Sequence, residues 1–286
     1  MNPYETFVTD VARIFRQAND YPLGGFPAPA RSQPAPDAPR ALIFAPHPDD
    51  EVIIGGLPLR LLRERKWNVI NVAVTQGSNR ARQPQRWKEL EACCNHIGFT
   101  LRRTRPNGLE GINLRNRKTN PHEWNQAVDC LARILSEEAP RVIFFPHDDD
   151  WNSTHIGTHH LVVDALGQLG RAFSCEAVET EFWGAMDTPN LLVESSERDV
   201  IDLVTALSFH VGEVRRNPYH VRLLAWMMDN VRRGGELVGG QGGAAPAFLF
   251  GTLYRLRRWQ DGKLVPVLDH GRFVSSADDL VTLFAP

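Results

Sequence analysis

Short runs of consecutive apolar residues alternate along the chain with longer segments in which apolar residues recur at helical spacing. The apolar runs predict buried strands at residues 41–45, 69–74, 141–146 and 177–183. The helical spacing predicts helices at residues 52–65, 86–97, 124–135, 155–169, 198–213 and 218–233. Strands that are separated by helices are typical of a mostly parallel, Rossmann-like sheet covered by helices on both faces. The hydrophobic pattern therefore predicts an α/β fold.

The two ends of the chain depart from this alternation. Residues 4–18 have the apolar spacing of a helix, and a proline-rich stretch without periodicity follows them. Near the other end, residues 248–258 and 263–268 flank Asp261-Gly262, which predicts a C-terminal hairpin. We therefore expect an N-terminal helix and connector over residues 1–40, and one large domain over residues 41–286.

Composition and charge exclude several classes of protein. The 286 residues are 42% hydrophobic and carry a formal net charge of −2, and no basic block marks a nucleic-acid partner. No apolar run approaches the roughly 20 residues that a membrane span needs, and the first residues do not resemble a signal peptide. The four cysteines show no C-x-x-C spacing. We expect a cytoplasmic protein, with self-association left open.

The first chemically informative segment follows the strand at residues 41–45. There His47, Asp49, Asp50 and Glu51 place one imidazole and three carboxylates where an open α/β sheet binds its ligands. Three carboxylates in one turn repel each other unless a cation or helix amides relieve the repulsion. Capping of the next helix explains one Asp but does not explain the imidazole.

The strand at residues 141–146 leads into a second cluster, where four of the ten histidines fall within 14 residues: His147, His155, His159 and His160. One histidine from each cluster together with Asp50 makes a ligand set that suits zinc and leaves positions open for water and substrate. His155 and His159 stand four residues apart, so both could face one metal on a helix, although no Glu lies between them to act as a base. His147, at the strand end, is a further candidate, either for lining the pocket or for binding the metal.

Over about residues 41–213 the sequence resembles the PIG-L/LmbE-like family of zinc-dependent N-acetylglucosamine deacetylases. His47-Pro-Asp49-Asp50-Glu51 is similar to the family's AHPDDE motif, which is the most specific part of the resemblance. The other similar segments are Thr75-Gln76-Gly77, Arg86-x-x-Glu89-x-x-Ala92, Asn152-Ser-Thr-His155-Ile-Gly-Thr-His159-His160 and Ala206-Leu207-x-x-His210-x-Gly-Glu213. The resemblance implies an LmbE-like fold.

The resemblance also implies roles for residues at matching positions. One Zn²⁺ per chain is expected on His47, Asp50 and His155, where it would activate a water molecule and the carbonyl group. Asp49 is expected to act as the general base, with an N-acetyl sugar or glycoconjugate as substrate. The sequence departs from the family pattern at three positions: Asn152 replaces a His, Thr154 an Asp and Leu203 a Lys.

Candidate substrate contacts are Arg86, Asn152 and His210, together with the polar stretch at residues 102–120. In the family that the sequence resembles, the His at the position of Asn152 assists at the carbonyl oxygen of the substrate. Its loss keeps a zinc-dependent hydratase or lyase on the same scaffold open as an alternative. A binding protein without catalytic activity is the third hypothesis. It is disfavoured because such a protein does not need a general base beside its metal ligands.

Overall fold

The computed structural model describes residues 2–31 and 33–284; Met1, Ser32, Ala285 and Pro286 lie outside the description. Its strands are β1 (Arg40–Ala45), β2 (Asn68–Ala73), β3 (Thr100–Arg103), β4 (Val142–Pro146), β5 (Cys175–Thr180), β6 (Leu191–Glu194), β7 (Gly251–Gln260), β8 (Lys263–Pro266) and β9 (Arg272–Val274). Its α-helices are α1 (Pro3–Ala18), α2 (Asp50–Ile53), α3 (Gly56–Arg65), α4 (Gln83–Ile97), α5 (Leu114–Thr119), α6 (Pro121–Glu138), α7 (Ser153–Gln168), α8 (Glu197–Leu207), α9 (Val211–Arg216) and α10 (Tyr219–Leu237), and a short 3₁₀ helix covers Leu280–Leu283.

The described strands form one sheet in the order β3-β2-β1-β4-β5-β7-β6-β9, and β8 pairs with β7. The first five strands of this order are parallel, whereas β7 is antiparallel to both β5 and β6. The predicted α/β fold with a mostly parallel sheet is therefore confirmed. The predicted terminal hairpin also forms, but its first strand lies inside the sheet.

The hydrophobic core lies in two layers on opposite faces of the sheet. Alternate residues of β1 point to opposite layers, so Ile43 packs with one and Leu42 with the other. One layer contains apolar side chains from α2, α3, α4, α8 and α10, and the other contains those of α6 and α7. This two-sided burial explains why β1 and β4 appear in the sequence as continuous apolar runs.

The predicted helix at residues 52–65 is wrong as a single element, because the structure breaks it into α2 and α3. Gly55 lies between the two helices with φ 84°, and a Cβ atom there would overlap the side chain of Thr252. The predicted helix at 198–213 is likewise two helices, α8 and α9, with His210 between them. Strands β3, β6 and β9 were not predicted.

The N-terminal helix α1 stands apart from the core, since within residues 3–18 no side chain is buried. The connector that follows it does contact the large domain: the Gly24 N–H donates to Ser208 Oγ at 3.2 Å, and the Phe26 and Phe209 rings pack edge to face. Among the helices of residues 2–31 and 33–284, none has the length and apolar character needed to cross a membrane.

Candidate metal and active site

The turn after β1 and the first turn of α7 meet at the same edge of the sheet. Because β1 and β4 are adjacent parallel strands, the segments that follow them emerge side by side. His47 and Asp50 follow β1, and His155 follows β4 at the start of α7. The topology thus brings these three predicted ligands together across more than a hundred residues of sequence.

Three ligand atoms converge at this point. His47 Nδ1 lies 3.2 Å from His155 Nε2, and Asp50 Oδ2 lies 3.3 Å from each of these nitrogens. Bonds of about 2.0–2.2 Å at tetrahedral angles place neighbouring zinc ligands about 3.3–3.6 Å apart. The donor set and its spacing therefore fit a zinc ion, and the three residues form one of the candidate metal-binding groups within the described chain.

The charges around this group favour a cation. Asp50 and His155 are almost completely buried. Burial works against ionisation of Asp50, but contacts with His155 and His47 outweigh it and hold the pKa of Asp50 below its usual value. Burial likewise lowers the pKa of His155, but Asp50 and Asp150 outweigh it and raise that pKa to about 10. Since a metal binds only neutral imidazole, a bound cation would take the place of this proton.

Asp150, which no sequence motif predicted, supports the imidazole of His155. Its Oδ2 lies 3.5 Å from His155 Nδ1 and accepts backbone N–H groups of Trp183 and Gly184, each at 3.2 Å. Its Oδ1 accepts the N–H of Asn152 at 2.8 Å. A carboxylate behind a histidine ligand fixes the orientation of the imidazole ring.

Asp49, the predicted base, directly precedes the ligand Asp50 in the chain and is 7% exposed. Its backbone has φ 114°, a conformation that costs a residue other than glycine about 1–3 kcal/mol. Its carboxylate accepts a short hydrogen bond from the Tyr219 hydroxyl and lies 4.0 Å from Arg86. Burial, and next the charge of Asp50, raise the pKa of Asp49 to about 7. These surroundings suit a group that accepts and returns a proton.

Tyr219 was not predicted because it opens α10, 170 residues away from Asp49 in the sequence. Nothing in the local pattern of residues 218–220 distinguishes it from a tyrosine that merely packs. Its ring stacks edge to face on Trp183, with centroids 5.7 Å apart. Tyr219 thus forms a wall of the site and also contacts the predicted base.

The three predicted substrate contacts occupy different kinds of position. Asn152 lines a cavity next to His47, and its Oδ1 caps α7 by accepting the Thr154 N–H at 2.8 Å. Arg86 donates to the Pro48 carbonyl at 2.9 Å and so braces the turn that carries Asp49. His210 is 1% exposed and lies behind Asp49, a position that suits support of the site rather than contact with substrate. Their predicted roles in substrate binding stay predictions.

The remaining histidines of the second cluster contact other groups of the protein rather than the three ligand atoms. His147 Nε2 lies 2.9 Å from the Gly184 carbonyl, and His159 Nδ1 lies 2.9 Å from the Pro146 carbonyl. His160 lies near Arg117, away from the other ligand atoms. In the described part of the chain, the candidate ligand group at this edge of the sheet contains His155 rather than its alternatives His159 and His147.

A cavity of about 480 Å³ opens beside His47 and extends toward residues 109–113. The polar stretch predicted as a substrate loop thus supplies one wall, although part of it folds as β3 and α5. A wider groove of about 1030 Å³ adjoins the cavity and shares Arg80, Leu109 and Glu110 with it. Most of the residues that line the cavity and the groove are polar or charged.

Comparison with known families gives a match over the segment that builds this site. Residues 42–166 match the PIG-L family, described as GlcNAc-PI de-N-acetylase. The matched segment contains His47, Asp49, Asp50 and His155.

One similar protein, from Mycobacterium leprae, is called 1D-myo-inositol 2-acetamido-2-deoxy-alpha-D-glucopyranoside deacetylase. It is 26% identical over an alignment that covers 52% of this chain and 56% of the relative. The match therefore spans little more than half of the relative's own length.

Two solved structures share the fold. The N,N'-diacetylchitobiose deacetylase of Pyrococcus horikoshii has a TM-score of 0.56 at 18% identity, with 92% of this chain and 97% of that chain covered. The 4-carboxy-2-hydroxymuconate hydratase of Pseudomonas putida KT2440 also has a TM-score of 0.56, at 14% identity, with 76% and 95% covered. The same fold thus occurs in a deacetylase and in a hydratase.

Proposed function

We propose that the chain is a member of the PIG-L family, which residues 42–166 match, and that it is a zinc-dependent deacetylase that hydrolyses the amide bond of an N-acetylated sugar or a related amide. One observation carries the proposal: His47, Asp50 and His155 converge, and Asp49, which precedes Asp50 in the chain, has a buried carboxylate that is not one of the three. The Mycobacterium leprae and Pyrococcus horikoshii relatives are named for deacetylation of sugar amides, which supports this substrate class.

His47, Asp50 and His155 would hold the metal, and two imidazoles with one carboxylate favour zinc. When bound, zinc supplies Lewis-acid activation of a water molecule and of the amide carbonyl. One zinc per chain is expected on this group of three residues. A cytoplasmic location and self-association also stay predictions.

The protein's own groups would move the proton and orient the substrate. Asp49 would accept a proton from the attacking water and return it to the nitrogen of the leaving amine. The hydroxyl of Tyr219 holds the Asp49 carboxylate in place through its hydrogen bond. The cavity beside His47 would take the acetamido sugar, and the adjoining groove would take the rest of a conjugated substrate.

Two variants of neighbouring aspartates test this division of roles. Asp49→Asn keeps the size of the side chain, so the variant should retain zinc while turnover falls about 10²- to 10⁴-fold, the usual loss for a positioned proton acceptor. Asp50→Asn replaces a charged ligand by a neutral amide and should lose zinc itself. Acetate release from N-acetylglucosamine and N,N'-diacetylchitobiose would be measured together with metal content. Near-full turnover of Asp49→Asn would refute the mechanism.

A hydratase or lyase is the second candidate, favoured by the Asn152 position. The resemblance predicts a histidine there, at the side of the carbonyl oxygen, and this chain offers a neutral amide that also caps α7. A change in absorbance with unsaturated carboxylic acids, a loss for a hydratase or a gain for a lyase, with no acetate released from either sugar by the zinc-loaded protein, would favour this alternative.

A further inference from the structure

The Glu51 carboxylate is buried behind the active site, and both of its oxygens are in use. Its Oε2 accepts the backbone N–H of Asp49 at 2.9 Å. Its Oε1 accepts from His210 Nε2 at 2.7 Å and from the Cys93 thiol at 3.0 Å. All three side chains are at most 1% exposed. None of the steps of the proposed hydrolysis uses them directly.

Three separate elements build this cluster of Glu51, Cys93 and His210. Glu51 belongs to α2, Cys93 to α4, and His210 lies at the junction of α8 and α9. The separations of 2.7 and 3.0 Å between Glu51 Oε1 and its two neighbours are those of hydrogen bonds, and they are shorter than the spacing of about 3.3–3.6 Å between neighbouring zinc ligands. A buried pair of this kind is weak evidence for stability, because apolar residues of similar size often serve as well. What apolar residues cannot do is accept the N–H of Asp49.

The N–H of Asp49 needs that acceptor because of the backbone conformation at this residue. Asp49 has φ 114° and is 7% exposed, so its amide is turned into the protein rather than toward water. Without Glu51 Oε2 this N–H would be buried and unpaired, which disfavours the conformation. In that conformation the Asp49 side chain reaches the Tyr219 hydroxyl beside the three ligands.

We propose that Glu51 and His210 are positioning residues for the base: Glu51 holds the backbone of Asp49, and His210 holds the carboxylate of Glu51. The catalytic meaning of this inference rests on the proposed function, whereas its structural part does not. The inference gives His210 a task that differs from substrate binding. It also explains why the turn between β1 and α2 keeps a strained non-glycine residue.

The test compares two variants of the cluster with a nearby control. His210→Gln removes the imidazole, and Glu51→Asp keeps the charge but shortens the side chain so that it no longer reaches the Asp49 N–H. Each should lower kcat per zinc-loaded chain about 10- to 100-fold, the scale expected for a displacement of about 1 Å, with KM little changed. The control is Cys94→Ala, since this buried thiol faces Asn71 and should leave kcat and KM as they are.

A crystal structure of each variant gives a readout that does not depend on activity. We expect the Asp49 backbone to leave its positive φ, or its carboxylate to lose the contact with Tyr219. Unchanged kcat per zinc-loaded chain in both variants, or an Asp49 that stays in place in both structures, would overturn the inference. If the native protein releases no acetate, the proposed function fails, and the two crystal structures still decide whether the cluster positions Asp49.

Discussion

Replacing Gly157 by Ala should destabilise the protein and distort its active-site cavity. Gly157 lies in α7, two residues after His155, where the helix passes against the loop at residues 112–113. A Cβ atom at this position would lie 2.6 Å from the carbonyl carbon of Ile112 and 2.7 Å from Cα of Asn113, and closer still to the Ile112 carbonyl oxygen. These are backbone atoms, so a change of rotamer cannot relieve the overlap.

The magnitude follows from two opposing effects. Alanine in place of glycine inside a helix is normally favourable by about 0.5–1 kcal/mol. Forcing an extra carbon into a packed site costs about 1–3 kcal/mol. The overlap involves backbone that can move only with the loop, so we expect a net loss of about 1–2 kcal/mol in the free energy of unfolding. Since residues 112–113 line the cavity beside His47, turnover should fall as well.

Gly167 provides a matched control in the same helix. A Cβ atom there would meet nothing within 4 Å, so Gly167→Ala should raise the free energy of unfolding by about 0.4–1 kcal/mol. Urea unfolding of both variants and the native chain would measure the two changes. The reasoning is refuted if Gly157→Ala is as stable as Gly167→Ala.

Three further variants change the surroundings of the site, at Tyr219 and Arg117, and the N-terminal helix α1. Tyr219→Phe removes the hydroxyl that donates to Asp49. The variant should have kcat lowered about 10- to 100-fold, which corresponds to the loss of a hydrogen bond to a charged group, and an unchanged zinc content. An unaltered kcat would contradict this role of Tyr219. Arg117→Met removes two hydrogen bonds to Asp164, at 2.9 and 2.7 Å, that join α5 to α7. Steady-state kinetics should therefore show a several-fold rise in KM with little change in kcat. An unchanged KM would contradict a role of α5 in shaping the cavity wall. Deletion of residues 1–18 should change the free energy of unfolding by less than about 0.5 kcal/mol in urea titrations, because α1 buries none of its side chains. A larger loss would show that α1 packs on the rest of the protein.

The parts of the fold that the sequence predicts are those with strong burial on both faces. Strands β1 and β4 are uninterrupted apolar runs because helices cover them on both sides. Strand β3 was missed because its four residues are partly exposed or exposed at the edge of the sheet and include two arginines. The place of β7 between β5 and β6 is set by long-range pairing, which no local pattern encodes.

The same distinction holds for the site. His47, Asp50 and a histidine of the second cluster could be predicted to meet because parallel strands bring their carboxyl ends to one edge, and the family resemblance selected His155 among those histidines. Tyr219 and Asp150 reach the site through the packing of α10 and of the loop after β4, and a single sequence carries no signal for those contacts. The histidine cluster also contained more candidates than the site uses, since His147 and His159 bind backbone carbonyls.

The metal content of two histidine variants tests the central claim most directly. His155→Ala and His159→Ala remove imidazoles four residues apart on the same helix, and both side chains are buried. Each purified full-length variant and the native chain would be analysed for bound metal by mass spectrometry, with folding checked by circular dichroism. We predict about one zinc per chain in the native protein and in His159→Ala, and almost none in folded His155→Ala. Full zinc occupancy in His155→Ala, or its loss only in His159→Ala, would contradict the proposed metal site.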